Sequence, residues 1–86
     1  QIPSSASTII IRMDRMEYID QSGLYALEDS IIELKKDGKS VLVVDMQTQP
    51  KYMMERIDII PDLIPEEFIF ADFKTCLQWV KNHKDT

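Results

Sequence analysis

The sequence has very few of the residues from which metal sites and common catalytic sites are built. Cys76 is the only cysteine and His83 the only histidine, so the chain cannot by itself form an internal disulfide or a Cys/His zinc site. His83 lies in a polar stretch where no neighbouring residue would activate it. The chain also lacks a glycine-rich phosphate loop. We therefore expect no catalytic residue, no metal and no cofactor.

Two further absences limit the surfaces that the chain can bind. No apolar run approaches the roughly 20 residues that cross a bilayer, and the first residues do not resemble a signal peptide. Basic residues are outnumbered, with 10 Lys and Arg against 15 Asp and Glu and a net charge of -5. Because this charge repels phosphate backbones and anionic lipid headgroups, we expect no nucleic-acid binding and no insertion into the membrane.

The length of 86 residues and the apolar content of 44% are typical of one small globular domain. Residues 1–7 contain a proline and three serines without apolar periodicity, which predicts a leader without regular structure. We therefore predict a single domain over residues 1–86, with its folded core over residues 8–83.

Apolar strands that alternate with amphipathic helices are typical of an α/β fold with a parallel sheet. Runs of apolar residues, β-branched in the first two, predict strands at Thr8–Met13, Ser40–Asp45 and Phe68–Ala71, with the second strand at the centre. Apolar residues at spacings of three and four predict a helix over about Gln21–Asp37. Gly38 would end that helix in a left-handed conformation.

The second half of the chain contains two shorter helical patterns. The first covers about Pro50–Asp58, with Thr48 or Gln49 near its amino-terminal cap. The second follows the capping residue Asp72. Its apolar positions predict one buried stripe made of Phe73, Cys76, Leu77 and Val80.

Several residues admit both a structural and a functional interpretation. The acidic residues Glu28 and Asp29 fit the wet face of a helix better than a general acid/base pair. The five methionines suit core filling, although they could also form a soft partner surface. Trp79 falls at the edge of the last apolar stripe, where it would be partly buried or would anchor an interface.

The segment Tyr18–Leu24 joins the first strand region to the first helix and combines a carboxylate, a polar pair and a glycine. Asp20 or Ser22 would cap the helix, which typically contributes about 1 kcal/mol. The free backbone N–H groups of this first turn could also meet a partner or an anion. Capping alone would account for both polar residues, so both interpretations stay open.

Three passages of the chain resemble the STAS family, named after sulfate transporters and anti-sigma-factor antagonists. Met16–Leu27, MEYIDQSGLYAL, is similar to the family's apolar-Asp-x-(Ser/Thr)-Gly helix start with its following Ala-Leu pair. Glu33–Pro50 resembles the Lys-Gly, buried-strand and Gln-x-Gln-Pro passage of the transporter branch. Glu66–Val80 matches the ending of strand, Asp and last helix. The passages agree in order and spacing over about Thr8–Lys81.

The resemblance implies a STAS-like sheet of mainly parallel strands with helices, from which the one or two leading strands of the family are missing here. It also implies a regulatory protein-interaction domain of a SulP-type anion transporter, at the cytoplasmic face of the bacterial inner membrane. The alternative is a free-standing anti-sigma-factor antagonist. In that branch a phosphorylated serine commonly follows the motif aspartate, whereas this chain has Gln21 there and Ser22 next, which favours the transporter branch. An enzyme or nucleotide-binding protein has no motif to support it.

We expect the partner-binding surface at the carboxyl ends of the parallel strands, where open α/β sheets gather their binding residues. A partner would be the transporter's membrane domain, a cytoplasmic protein or a second copy in a homodimer. The acidic helix face would attract a basic partner surface. The predicted partner-binding residues are Asp20, Gln21, Ser22, Gly23, Tyr25, Glu28, Asp29, Gln47, Thr48 and Gln49.

Overall fold

The computed structural model of the protein describes residues 7–83, so that residues 1–6 of the predicted leader lie outside the described residues. Within residues 7–83, three strands and three α-helices alternate along the chain. They are β1 (Thr8–Arg12), α1 (Gln21–Lys36), β2 (Ser40–Val44), α2 (Thr48–Arg56), β3 (Ile69–Phe70) and α3 (Phe73–Asn82). Two short helical turns, Ile59–Leu63 and Glu66–Phe68, lie between α2 and β3. The predicted α/β class is confirmed.

The three strands form one parallel sheet in the order β1–β2–β3. Ile9 lies beside Val41 in β1 and β2, and Val43 lies beside Ile69 in β2 and β3. The central position of β2 and the parallel direction of all three strands are as predicted. Val41–Val44 are buried on both faces of the sheet, which is why this strand carries no polar residue after Ser40.

One face of the sheet holds the larger core. Residues of α1, α2 and the connection after α2 pack there against Val41 and Val43, with Leu24, Ile31 and Met54 among those fully buried. The five methionines lie in this core or against it, as core filling predicts. Because the stripe of α1 points at the sheet, its charged residues face outwards.

The opposite face is covered by α3. Cys76 packs there against Leu42 and Val44 of the central strand. Trp79 is partly buried, with its ring in edge contact with Phe68 at a centroid distance of 5.4 Å. Leu77 was predicted in the buried stripe, and this is wrong, because its side chain is 39% exposed at the margin of α3.

The ends of several elements differ from the predictions. α2 begins at Thr48, two residues before the predicted Pro50, and its N-cap is Gln47, whose side chain makes no capping hydrogen bond. β3 has only two residues, since Glu66–Phe68 forms a short 3-10 turn in place of the first predicted strand residue. Gly38 has a φ of 81°, which confirms the left-handed end of α1.

Candidate functional site

The first turn of α1, here called the α1 start (Asp20–Gly23), is capped by Asp20. The backbone of Asp20 is extended, and its carboxylate oxygen Oδ1 accepts a hydrogen bond of 2.8 Å from the backbone N–H of Gly23. Gln21 and Ser22 are exposed. The expectation that Ser22 takes part in capping is therefore wrong, because the carboxylate one residue before the helix satisfies the free N–H.

Gly23 lies close to the capping carboxylate of Asp20 and to the side chain of Ile19. A Cβ at this position would stand 3.2 Å from Asp20 Oδ1 and 3.2 Å from Cγ1 of Ile19. Ile19 is itself buried in the larger core. The space left by the missing side chain is thus bordered closely by the chain's own residues.

The loop after β2 and the first turn of α2 reach the segment that precedes the α1 start. The Gln49 side chain accepts a hydrogen bond of 2.8 Å from the Ile19 backbone N–H and donates one of 3.1 Å to the Ile19 carbonyl oxygen. Gln47 donates from Nε2 to the carbonyl oxygen of Asp14 over 2.9 Å. Thr48 between them is exposed. The structure thus brings the two predicted loops together, and it uses both glutamines within the chain.

The outward side of α1 next to the α1 start is acidic and carries one ordered tyrosine. Tyr25 is 47% exposed, and its hydroxyl oxygen accepts a 3.1 Å hydrogen bond from Gln21 Nε2. Asp29 is exposed and Glu28 half-buried. Between Arg15 and Lys35 the sequence has no basic residue, and its five carboxylates are Glu17, Asp20, Glu28, Asp29 and Glu33.

Two further tyrosines lie close to the predicted residues in sequence but were not among them. Tyr18 is 69% exposed and directly precedes the buried Ile19, and Tyr52 in α2 is 55% exposed. Tyr52 lines a shallow groove of about 340 Å³ together with Met46, Gln47, Thr48, Lys51 and Glu55. For Tyr52, the available signal was that it does not fit the apolar period of α2.

No cluster of three or more His, Cys, Asp or Glu side chains within residues 7–83 could hold a metal ion. Cys76 is buried, and burial raises the pKa of its thiol. His83 is exposed and stacks on Trp79 at 4.1 Å between ring centroids, away from the α1 start.

The length and apolar character of the helices were compared with those of a membrane span. None of the helices within residues 7–83 has the length and apolar character needed to span a bilayer.

Comparison with known proteins identifies relatives of this fold. The family model described as "STAS domain" matches residues 3–76 of the chain. The crystal structure of a sulfate transporter family protein from Wolinella succinogenes is similar, with 26% sequence identity and a TM-score of 0.79. The similarity covers 88% of this chain and 62% of that chain, so this chain spans less than two thirds of its solved relative. No curated protein matches the chain.

Proposed function

Because the chain belongs to the STAS domain family, we propose that it is the regulatory, non-catalytic interaction domain of a SulP-type anion transporter. In this proposal the domain lies at the cytoplasmic face of the bacterial inner membrane. The observation that carries it is the similarity over most of the chain to the sulfate transporter family protein. The transporter-like Gln-x-Gln-Pro passage, Gln47–Pro50, supports the same branch.

The surface proposed to bind the partner consists of the α1 start, the outward side of α1 and Thr48. It combines exposed polar residues at a helix start with an exposed tyrosine and a concentration of carboxylates. Such a surface favours a partner segment rich in Lys and Arg, because charge complementarity speeds association and selects the register. Cytoplasmic loops of the transporter have this chemistry, as does the basic face of a cytoplasmic protein.

The first experiment is a titration of the isotope-labelled chain with peptides that cover the cytoplasmic loops encoded in the same gene. We expect amide shifts at Asp20–Gly23 and Tyr25, and an affinity about tenfold lower for Tyr25→Ala. Glu28→Lys should weaken binding, whereas Glu66→Lys, which makes the same charge change on the exposed turn before β3, should not. Shifts confined to Trp79 and His83 would place the interface elsewhere.

A second candidate is the free-standing anti-sigma-factor antagonist. The observation that favours it is the exposure of Ser22, whose hydroxyl is not the cap of α1. Against it stands Gln21, which has no hydroxyl at the position commonly phosphorylated in that branch. Intact mass after incubation with an anti-sigma kinase and ATP should show no added phosphate, and a stoichiometric phosphopeptide containing Ser22 would support the antagonist. Several apolar spans upstream in the full gene would instead support the transporter.

A further inference from the structure

The segment between β1 and α1, residues 13–20, depends on side chains from another part of the chain for its shape. It contains no helix or strand, and a short turn with a 3.1 Å bond from Met16 N–H to the Met13 carbonyl oxygen opens it. Ile19 anchors its far end in the core. Backbone groups in such a segment need partners, and here two glutamines supply them from about 30 residues away.

Gln49 binds Ile19 as a neighbouring strand would. Its amide uses both oxygen and nitrogen, at 2.8 and 3.1 Å, to satisfy the N–H and the C=O of the same residue. No other side chain among the twenty except Asn presents a neutral acceptor and donor in this paired arrangement. The bonds are part-buried, so water competes with them less than at a fully exposed site.

Gln47 adds a second attachment at the other end of the segment, through its 2.9 Å bond to the Asp14 carbonyl oxygen. The two attached residues, Asp14 and Ile19, lie on either side of Tyr18 in the sequence. Tyr18 is the most exposed large hydrophobic residue described, at 69%. With Ile19 buried and doubly hydrogen-bonded next to it, the backbone that carries the Tyr18 ring has little freedom.

We infer that Gln47 and Gln49 are positioning residues, which hold the segment so that Tyr18 and the α1 start are presented together to the partner. This inference rests on the proposed interaction function. Gln47 and Gln49, predicted to contact the partner, would instead preorganise residues 13–20 for binding. Tyr18 is added to the residues that contact the partner. Preorganisation raises affinity because the ordering cost is already met in the free protein. Aromatic anchors of this kind carry much of the binding energy of interfaces.

The first arm of the test needs no partner. Amide hydrogen exchange should show Ile19 protected in the wild-type chain and unprotected in Gln49→Met, which keeps the length of the side chain but offers no amide. Thr48→Ala is the matched control, because Thr48 is exposed in the same first turn of α2. Val43 at the centre of the sheet should stay protected in all three proteins. Equal protection of Ile19 in wild type and Gln49→Met would overturn the inference.

The second arm is a double-mutant cycle for binding of the loop peptides described above. Tyr18→Ala should lower affinity about tenfold in the wild-type background and less than twofold in the Gln49→Met background, because the anchor is no longer held in place. Additive effects of the two substitutions would contradict presentation of Tyr18 by Gln49. If wild type bound none of the peptides while Ile19 lost protection in Gln49→Met, the proposed partner would be wrong and the positioning role within the free chain would stand.

Discussion

A comparison of two leucines tests which side of each helix faces the sheet. Leu24 in α1 is 1% exposed and belongs to the larger core, whereas Leu77 in α3 is 39% exposed. Both are helical, so truncation to alanine changes helix propensity by the same small amount at each site. The difference in cost between Leu24→Ala and Leu77→Ala therefore measures burial.

The expected magnitudes follow from the surroundings of each side chain. Leu24→Ala removes a fully packed side chain and leaves a cavity, which costs about 3 kcal/mol. Leu77 buries only about three fifths of its surface, and its site opens to solvent, so that Leu77→Ala should cost about 1 kcal/mol. A domain of this size has a total stability of roughly 4 to 13 kcal/mol, so the first variant loses a large part of it.

Urea unfolding followed by far-ultraviolet circular dichroism gives both values, since this signal reports on the backbone and not mainly on the single tryptophan, Trp79, two positions after Leu77. The thermal midpoint should fall by about 15 °C for Leu24→Ala and by about 5 °C for Leu77→Ala. Equal losses, or a larger loss for Leu77→Ala, would show that α3 packs on the sheet through a different face and would refute the packing of Cys76 against Leu42 and Val44.

Three further predictions concern single positions. The backbone N–H of Thr75 is the main cause that lowers the pKa of Asp72 below its ordinary value of 3.8. The ionised carboxylate therefore stabilises the folded state at any pH above 3.8. This contribution disappears as the pH falls through the lowered pKa of the folded state. Acid unfolding should therefore depend less steeply on pH in Asp72→Asn, which keeps a cap without a charge, and an unchanged profile would contradict this. Gly38→Ala should lower the free energy of unfolding by about 1 kcal/mol, and Gly38→Asn by less, as measured by chemical unfolding. The reason is that the φ of 81° disfavours a side chain, whereas no atom lies within 4 Å of the added Cβ. Equal losses in the two variants would point to another cause. Because Cys76 is buried and burial raises the pKa of its thiol, a thiol reagent should label it at least about 100-fold faster in urea than in buffer. Similar labelling rates would show that solvent reaches Cys76 between α3 and the sheet in the folded protein.

The sequence predicted which segments of the candidate site lie next to each other, but not which contacts their side chains make. Asp20 as the cap of α1 follows from local capping rules. The contact between the segment before α1 and the first turn of α2 follows from the parallel direction of the strands, which brings both to the same edge of the sheet. The hydrogen bonds of Gln47 and Gln49 within the chain do not follow from any local pattern, because their partners are backbone groups 33 and 30 positions away in the sequence. The exposure of Tyr18 likewise depends on the burial of its neighbour Ile19.

The sequence by itself determined the order of strands and helices, the central place of β2 and the family. Apolar periodicity and β-branched runs are properties of consecutive residues, and a strand that is apolar at every position must be covered on both faces. Only the tertiary structure decided that Leu77 stays at the margin of α3, that β3 shortens to Ile69–Phe70 and that Gly23 is needed by Ile19 and Asp20. Each of these depends on how much space a distant element leaves, and packing at interior density makes that space a property of the assembled fold.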